Sequence, residues 1–178
     1  MTNAKPIRIL AFDTSMSRPG VAIIELKRNK PTNATASITA LSHVTTDAKQ
    51  THGLRAEIVE SWATLFIAEH IGKHGFDVIV REDFQGRSSR QNHPVFSAWG
   101  AVDQALNKFG LTFTTPAISQ SAVKKAVVGK GKAEKDEVAD AVRRLTGYTG
   151  EFVVDDESDA AAIGLAYAIN EGLIKGAE

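Results

Sequence analysis

The sequence predicts a mixed α/β fold, and two observations support this prediction. Three β-favouring segments come first along the chain and are separated only by short polar turns. After them, stretches with apolar residues at helical spacing alternate with short strand-like runs. The predicted order of elements is therefore βββ-α-β-α-β-α-α-α, which is expected to form a mixed central sheet, with three antiparallel strands and then parallel strands, flanked by helices.

The amino-terminal half is predicted to hold an antiparallel meander, one long helix and a fourth strand. Short polar turns join the first three β-favouring segments, which indicates that neighbouring strands pair directly. Apolar residues then recur at helical spacing until Gly72 and Gly75 end the pattern. The predicted strands cover residues 7–12, 20–26, 36–44 and 76–80, and the predicted helix covers residues 54–73.

The carboxyl-terminal half is predicted to be mainly helical. Residues 85–94 are polar and basic and are predicted to form a loop. A short strand-like run ends at Pro116, and the last helical pattern is rich in small residues that allow close packing against a sheet. The predicted helices cover residues 95–109, 119–127, 132–145 and 158–170, and the predicted strand covers residues 111–115.

Length and composition indicate one globular domain over residues 1–178 and exclude several classes of protein. Hydrophobic residues make up 43% of the chain and charged residues 24%, which is typical of a globular protein and not of a disordered one. The absence of cysteine excludes disulfides, thiolate metal sites and a cysteine nucleophile. No apolar run approaches the ~20 residues that a membrane span needs, and the start of the chain has no signal-peptide core. A cytosolic-type protein is therefore expected.

The net charge of zero conceals an uneven distribution. Residues 84–133 carry seven Lys or Arg and one acid, whereas residues 134–178 carry four Lys or Arg and eleven acids. A cationic middle and an anionic end suit a protein that binds a polyanion on one surface and a divalent metal at another. Ordinary solvated surface charge is the alternative interpretation.

Four acidic residues are candidates for a metal site. Asp13 and Glu82 each stand where a predicted strand ends, and Asp156 and Asp159 are three residues apart at the start of the last helix, on one helical face. Carboxylates that are packed together raise one another's pKa, and such clusters usually bind divalent metal. Oxygen ligands without cysteine favour Mg²⁺ or Mn²⁺ over Zn²⁺. Taken singly, each acid is better explained as a turn or helix cap, or as part of a solvated acidic loop, and only the four together favour a metal site.

A lysine-rich segment around Gly129 and Gly131 is a candidate phosphate-binding element. Exposed backbone amides, a helix start and ammonium groups can together bind phosphate, although a lysine-rich loop is also a common solvated surface. Arg87 and Arg90 extend the positive charge over the loop that follows Glu82, where they would contact a polyanion. The lysines of the segment are Lys124, Lys125, Lys130, Lys132 and Lys135.

Four sequence motifs resemble those of a known family. They are FDTSMSRPGVAI at 12–23, VIVRE at 78–82, VVGKGKAEK at 127–135 and DESDAAAI at 156–163. In this order and spacing they resemble the motifs of RuvC-type Holliday junction resolvases (crossover junction endodeoxyribonucleases). The similarity runs from about residue 7 to residue 170. Departures from the usual pattern, Thr14-Ser15 after the first acid and Arg81 before the second, resemble the phage-encoded branch of the family.

The resemblance implies an RNase H-like fold, a homodimer and dependence on Mg²⁺, with Mn²⁺ able to substitute. By position, it implies that Asp13, Glu82, Asp156 and Asp159 hold two ions per active site. It further implies that Lys135 lies close to the scissile phosphate and Lys124 contacts DNA. The family carries an aromatic residue that inserts at the junction point, and Phe84 is the nearest candidate here.

The expected function is a metal-dependent endonuclease that resolves Holliday junctions, and other branched DNA, by paired nicking that leaves 5′-phosphate and 3′-hydroxyl ends. One alternative is a related nuclease of the same fold that acts on flaps, forks or RNA-containing duplex. Another is a non-catalytic junction-binding protein, and an ATPase of a distantly related fold is a third. The presence of all four acids favours a nuclease over a binding protein, and the absence of glycine-rich phosphate loops disfavours the ATPase.

Overall fold

The structure is a computed structural model that describes residues 5–30, 33–84 and 89–177. Within these ranges the strands are β1 (Ile7–Asp13), β2 (Gly20–Lys30), β3 (Asn33–His43), β4 (Val78–Asp83) and β5 (Ile118–Ser119). The helices are α1 (His52–His70), α2 (Ser89–Asn107), α3 (Gln120–Val128), α4 (Lys135–Thr146) and α5 (Asp155–Asn170). In the described ranges, none of these helices is long and apolar enough to cross a membrane.

The strands form a mixed sheet in the order β3-β2-β1-β4-β5. β1 pairs antiparallel with β2, and β2 pairs antiparallel with β3. β4 runs parallel to both β1 and β5. The predicted element order, the opening meander and the mixed α/β sheet are therefore confirmed.

Alternating side chains of β1 supply two separate hydrophobic cores, one on each face of the sheet. Leu10 and Phe12 pack with α1 and α2, whereas Ile9 and Ala11 pack with α3, α4 and α5. Because side chains alternate between the faces of a strand, Asp13 lies on the same face as Ala11. That face is the one covered by α5.

The small residues of α5 let the helix lie close to the sheet. A Cβ placed on Gly164 would lie 3.2 Å from the Cβ of Ala11 and 3.0 Å from Cγ1 of Ile24, so a larger residue there would push the helix away. At the start of the same helix, a Cβ on Gly20 would collide with the carbonyl group of Asp156. Glycine at position 20 therefore allows β2 and the first turn of α5 to meet.

The second helix begins earlier than the sequence predicts. Residues 89–94, predicted to be part of a loop, form the first turns of α2, and Pro94 lies inside the helix. Proline disfavours a helix interior because it removes one backbone hydrogen bond. The preceding residue contacts α1, since the ring of His93 lies 5.8 Å from the ring of His52 at the start of that helix.

The strand predicted at residues 111–115 is wrong, and the strand at this edge is β5 instead. Thr114 explains the difference. Its backbone N–H donates to the Ile79 carbonyl at 3.0 Å, but the Ile79 N–H donates to the Thr114 hydroxyl at 2.9 Å and not to a backbone carbonyl. A side chain thus occupies the position where a second ladder hydrogen bond would form.

Candidate active site

The four candidate acids come from three elements that meet at one end of the sheet. Asp13 is the last residue of β1, and Glu82 is the next to last residue of β4. The two strands are parallel neighbours in which Phe12 pairs with Arg81. Asp13 and Glu82, the next residue in each strand, are therefore side by side. Asp156 and Asp159 lie in the first turns of α5. This helix begins at Asp155, three residues before the predicted start at residue 158.

The pKa values of these acids show that the carboxylates interact. Burial raises the pKa of Asp13 well above its ordinary value, and the charges of Glu82, Asp159 and Asp156 raise it further. Burial, followed by the charge of Asp159, raises the pKa of Glu82 to about 7. Burial also raises the pKa of Asp159 to about 6, with a smaller contribution from Asp156. The cluster is therefore short of positive charge.

This donor set fits a divalent cation. Among the described residues, no three aspartate, glutamate or histidine side chains form a ready-made metal cage. The fit rests on their chemistry, because partly buried carboxylates that repel one another are stabilised when a cation lies between them. All the candidate donors are oxygen atoms, which suit Mg²⁺ and Mn²⁺.

Lys135 lies beside the acidic cluster at the first position of α4. Its ammonium group is 3.1 Å from Oδ2 of Asp155 and more than half of its side chain is exposed. Although burial opposes the shift, the hydrogen bond to Asp155 and the nearby carboxylates raise the pKa of Lys135. Its charge in turn lowers the pKa values of Asp13 and Asp159. Lys135 therefore stands at the open side of the site as a stable cation.

Lys124 approaches the same cluster from α3. Its ammonium group donates to the carbonyl oxygen of Ala133 at 2.6 Å, and its charge lowers the pKa values of Glu82 and Asp159. Lys124 thus holds the segment that precedes α4 and lies close to the acids.

The other predicted DNA-binding residues lie at the margin of the site or outside the described residues. Lys125 and Lys132 are exposed, and Lys130 forms an ion pair with Glu137 at the start of α4. Phe84 follows β4 and is 37% exposed, two residues after Glu82. Arg87 lies outside the described residues, as does the side chain of Arg90.

Arg18 was not among the residues predicted from the sequence, yet it contacts the cluster. It lies in the turn between β1 and β2, and its Nε is 3.5 Å from Oδ2 of Asp156. The signal in the sequence is weak: Arg18 lies in the turn that follows Asp13, and the pairing of Asp13 with Gly20 closes that turn at the end of the sheet.

Comparison with known proteins agrees with this architecture. The family model described as "Crossover junction endodeoxyribonuclease RuvC" matches residues 9–167 of the chain. A relative from Synechococcus sp. (strain RCC307) with the same description is 30% identical over 164 residues, which covers 89% of this chain and 96% of the relative.

Solved structures are similar in fold. The Thermus thermophilus RuvC structure superposes with a TM-score of 0.75 at 21% sequence identity and covers 94% of this chain and 96% of its own. The structure of T. thermophilus RuvC in complex with Holliday junction substrate gives a TM-score of 0.76 with the same identity and the same coverage of both chains. The predicted RNase H-like fold is confirmed. With a family match that spans most of its length, this chain belongs to the RuvC family of crossover junction endodeoxyribonucleases.

Proposed function

We propose that this protein resolves four-way DNA junctions by nicking two strands, using Mg²⁺ held by its four clustered acids. The family to which it belongs consists of metal-dependent nucleases. The observation that carries the proposal is that β1, β4 and α5 bring four acids together at one end of the sheet, where burial and the charges of Glu82, Asp159 and Asp156 raise the pKa of Asp13. A partly buried, mutually repelling cluster of this kind is stabilised by cations.

In this proposal Asp13, Glu82, Asp156 and Asp159 hold two Mg²⁺ ions, and Mn²⁺ can replace them. When bound, the ions lower the pKa of an attacking water and stabilise the leaving oxygen of an in-line displacement. The products would be a 5′-phosphate and a 3′-hydroxyl.

The cations around the cluster bind and orient the scissile phosphate. Lys135 is exposed beside the acids, and its ammonium group is free to leave Asp155 for a phosphate oxygen. Lys124 lies on the Glu82 side, where it limits the repulsion between the acids and an incoming phosphate. Phe84, exposed just beyond β4, would contact the bases near the junction point.

The wider DNA surface would come from the basic segment of residues 84–133, which carries a net charge of +6. Arg87, Arg90, Lys125, Lys130 and Lys132 belong to this segment. The whole chain, residues 1–178, would act as one nuclease domain in the cytoplasm. Two copies would form a homodimer, because a four-way junction offers two symmetry-related strands and each subunit would cut one.

The test is the replacement of single acids by their amides. Asp13→Asn, Glu82→Gln and Asp159→Asn keep the size of the side chain but remove the charge that binds metal. Each variant should lose cleavage of a labelled four-way junction by at least a hundredfold while binding the junction at least as tightly as the unmodified protein. Asp140→Asn is the matched control, since its carboxylate is 80% exposed on α4. Full cleavage by any of the three variants would refute the metal site.

The choice of substrate is tested in the same assay. Four-way junctions, flaps, forks, RNA-containing duplex and linear duplex are compared with and without Mg²⁺. Faster cleavage of the junction supports the proposal. Faster cleavage of flaps, forks or RNA-containing duplex would instead identify a related nuclease of the same fold, and junction binding without cleavage would identify a binding protein.

A further inference from the structure

One acid of the first turn of α5 has no part in the proposed metal site. Glu157 lies between Asp156 and Asp159 in sequence, yet it is only 5% exposed. Successive helical residues point about 100° apart, so its side chain is directed away from that of Asp159. A buried carboxylate is costly unless its oxygens have partners.

Both oxygens of Glu157 have such partners. Oε1 is 2.9 Å from Nδ1 of His43, the last residue of β3, and Oε2 accepts a hydrogen bond from the backbone N–H of Val153 at 2.9 Å. The residue before α5 is Val154, whose side chain cannot cap a helix. Glu157 therefore holds the segment that leads into α5 and ties the first turn of this helix to the end of β3.

The same strand end is connected to the acids by a continuous set of contacts. His43 pairs with Gly20 across the β2–β3 ladder, and Gly20 pairs with Asp13 across the β1–β2 ladder. Gly20 also lies directly against the backbone carbonyl of Asp156. The contact between His43 and Glu157 thus joins two parts of the site. One is the end of the sheet, which carries Asp13, and the other is the first turns of α5, which carry Asp156 and Asp159.

We propose that Glu157 and His43 are positioning residues that fix the first turn of α5 against the sheet and thereby set the affinity of the site for its metal. This inference rests on the proposed function, because it assumes that Asp13, Asp156 and Asp159 hold the ions. Neither Glu157 nor His43 touches the metal or the DNA in this scheme. Their loss lets the turn move, and the acids then no longer hold the ion at the right separation.

The experiment measures the Mg²⁺ concentration that gives half-maximal cleavage of a four-way junction. Glu157→Ala and His43→Ala should each raise that concentration at least fivefold, with cleavage at saturating Mg²⁺ within threefold of the unmodified protein. The double variant should be no worse than the poorer single variant, because the two side chains act as one unit. His43→Asn, whose amide can still donate to Glu157, should restore the original requirement. The control is Glu151→Ala, an exposed glutamate that precedes α5.

Direct binding of Mn²⁺, measured by calorimetry without DNA, should weaken by the same factor in the Ala variants. An unchanged metal requirement in both folded Ala variants would overturn the inference, as would a lower melting temperature and a lower maximal rate with no change in metal affinity. If Glu157→Ala does not fold, His43→Ala decides the question in the same way. Asp13→Asn is included throughout: if it cleaves normally the proposed function itself fails, and if it is inactive while the Ala variants match the unmodified protein, only the positioning role fails.

Discussion

Arg18 and Asp156 form an ion pair across the mouth of the acidic cluster, with 3.5 Å between Nε and Oδ2. The pair joins the turn after β1 to the first turn of α5, and the arginine side chain is 50% exposed whereas the aspartate is 19% exposed. A cation that is bound by Asp156 would compete with this contact. The guanidinium group would then be available to a phosphate of the DNA.

Removal of Arg18 should therefore weaken substrate binding more than it slows the chemical step. For Arg18→Ala we expect the KM for the junction to rise by roughly fivefold, from the loss of one hydrogen bond of about 1 kcal/mol. The slope of log affinity against log salt should become less steep by about 0.9. Arg144→Ala is the control, because Arg144 is exposed near the far end of α4. A fall in kcat with an unchanged KM would contradict this role.

Lys135 and Lys124 should show different defects. Lys135→Ala should lower kcat at least tenfold with little change in junction affinity, because its exposed ammonium group stands where the scissile phosphate would bind. Lys124→Ala should lower affinity more than rate. It should also lower the free energy of unfolding by about 1–3 kcal/mol, since the carbonyl group of the buried Ala133 loses its donor.

Denaturant unfolding and single-turnover kinetics on the same samples separate these effects. Lys125→Ala is the matched control for stability, since Lys125 is the next residue on α3 and is exposed. Equal losses of affinity in the Lys135 and Lys124 variants, with no change in rate, would show that both lysines only contact the phosphate backbone of the DNA.

The free energy of unfolding should fall as the pH rises, and bound metal should prevent this fall. Burial and neighbouring carboxylates raise the pKa of Glu82 to about 7 and that of Asp159 to about 6 in the folded protein. A folded-state pKa above the unfolded value gives stability that is present at low pH and is lost as the pH rises through the folded value. In EDTA, the free energy of unfolding should therefore fall between about pH 5 and pH 8, by an amount on the order of a few kcal/mol.

Added Mg²⁺ should remove most of that fall, because the ion neutralises the same carboxylates. Asp159→Asn should be more stable than the unmodified protein at pH 8 in EDTA, since one repelling charge is gone. Asp77→Asn should instead be less stable than the unmodified protein at pH 8 in EDTA. Although burial opposes the shift, the hydrogen bonds from Arg8 and Lys5 lower the pKa of Asp77, so its charged form stabilises the fold. Thermal unfolding in EDTA and in Mg²⁺ across this pH range checks all three outcomes, and stability that rises toward pH 8 in EDTA would contradict the crowding of the acids.

The parts of the fold that could be predicted are those that short segments encode. The end of an apolar strand located Asp13, and helical spacing placed Asp156 and Asp159 on one face. The contact between His43 and Glu157 joins residues 114 positions apart and leaves no local pattern. The early start of α2 was missed for a related reason, because residues 85–94 are polar and basic and lack the apolar spacing that predicts a helix, although residues 89–94 form its first turns.

Phe84 tests whether the protein opens the junction as well as binding it. The ring is 37% exposed just beyond β4, two residues after Glu82, so it moves with the strand that carries one of the proposed metal ligands. An aromatic side chain that inserts between bases acts on stacking and not on phosphate charge. Phe84→Leu keeps an apolar side chain but loses the flat ring, and Phe84→Trp keeps a ring.

We expect Phe84→Leu to cleave four-way junctions at least tenfold more slowly, in line with about 1–3 kcal/mol for one stacked base. Phe84→Trp should keep most of the activity. In both variants, the slope of log affinity against log salt should match that of the unmodified protein, because the basic residues of the DNA surface are unchanged. Fluorescence of 2-aminopurine at the junction point reports unstacking directly. Normal junction opening and cleavage by Phe84→Leu would show that another residue inserts between the bases. A changed slope of log affinity against log salt would show that Phe84 contributes to the phosphate-binding surface itself.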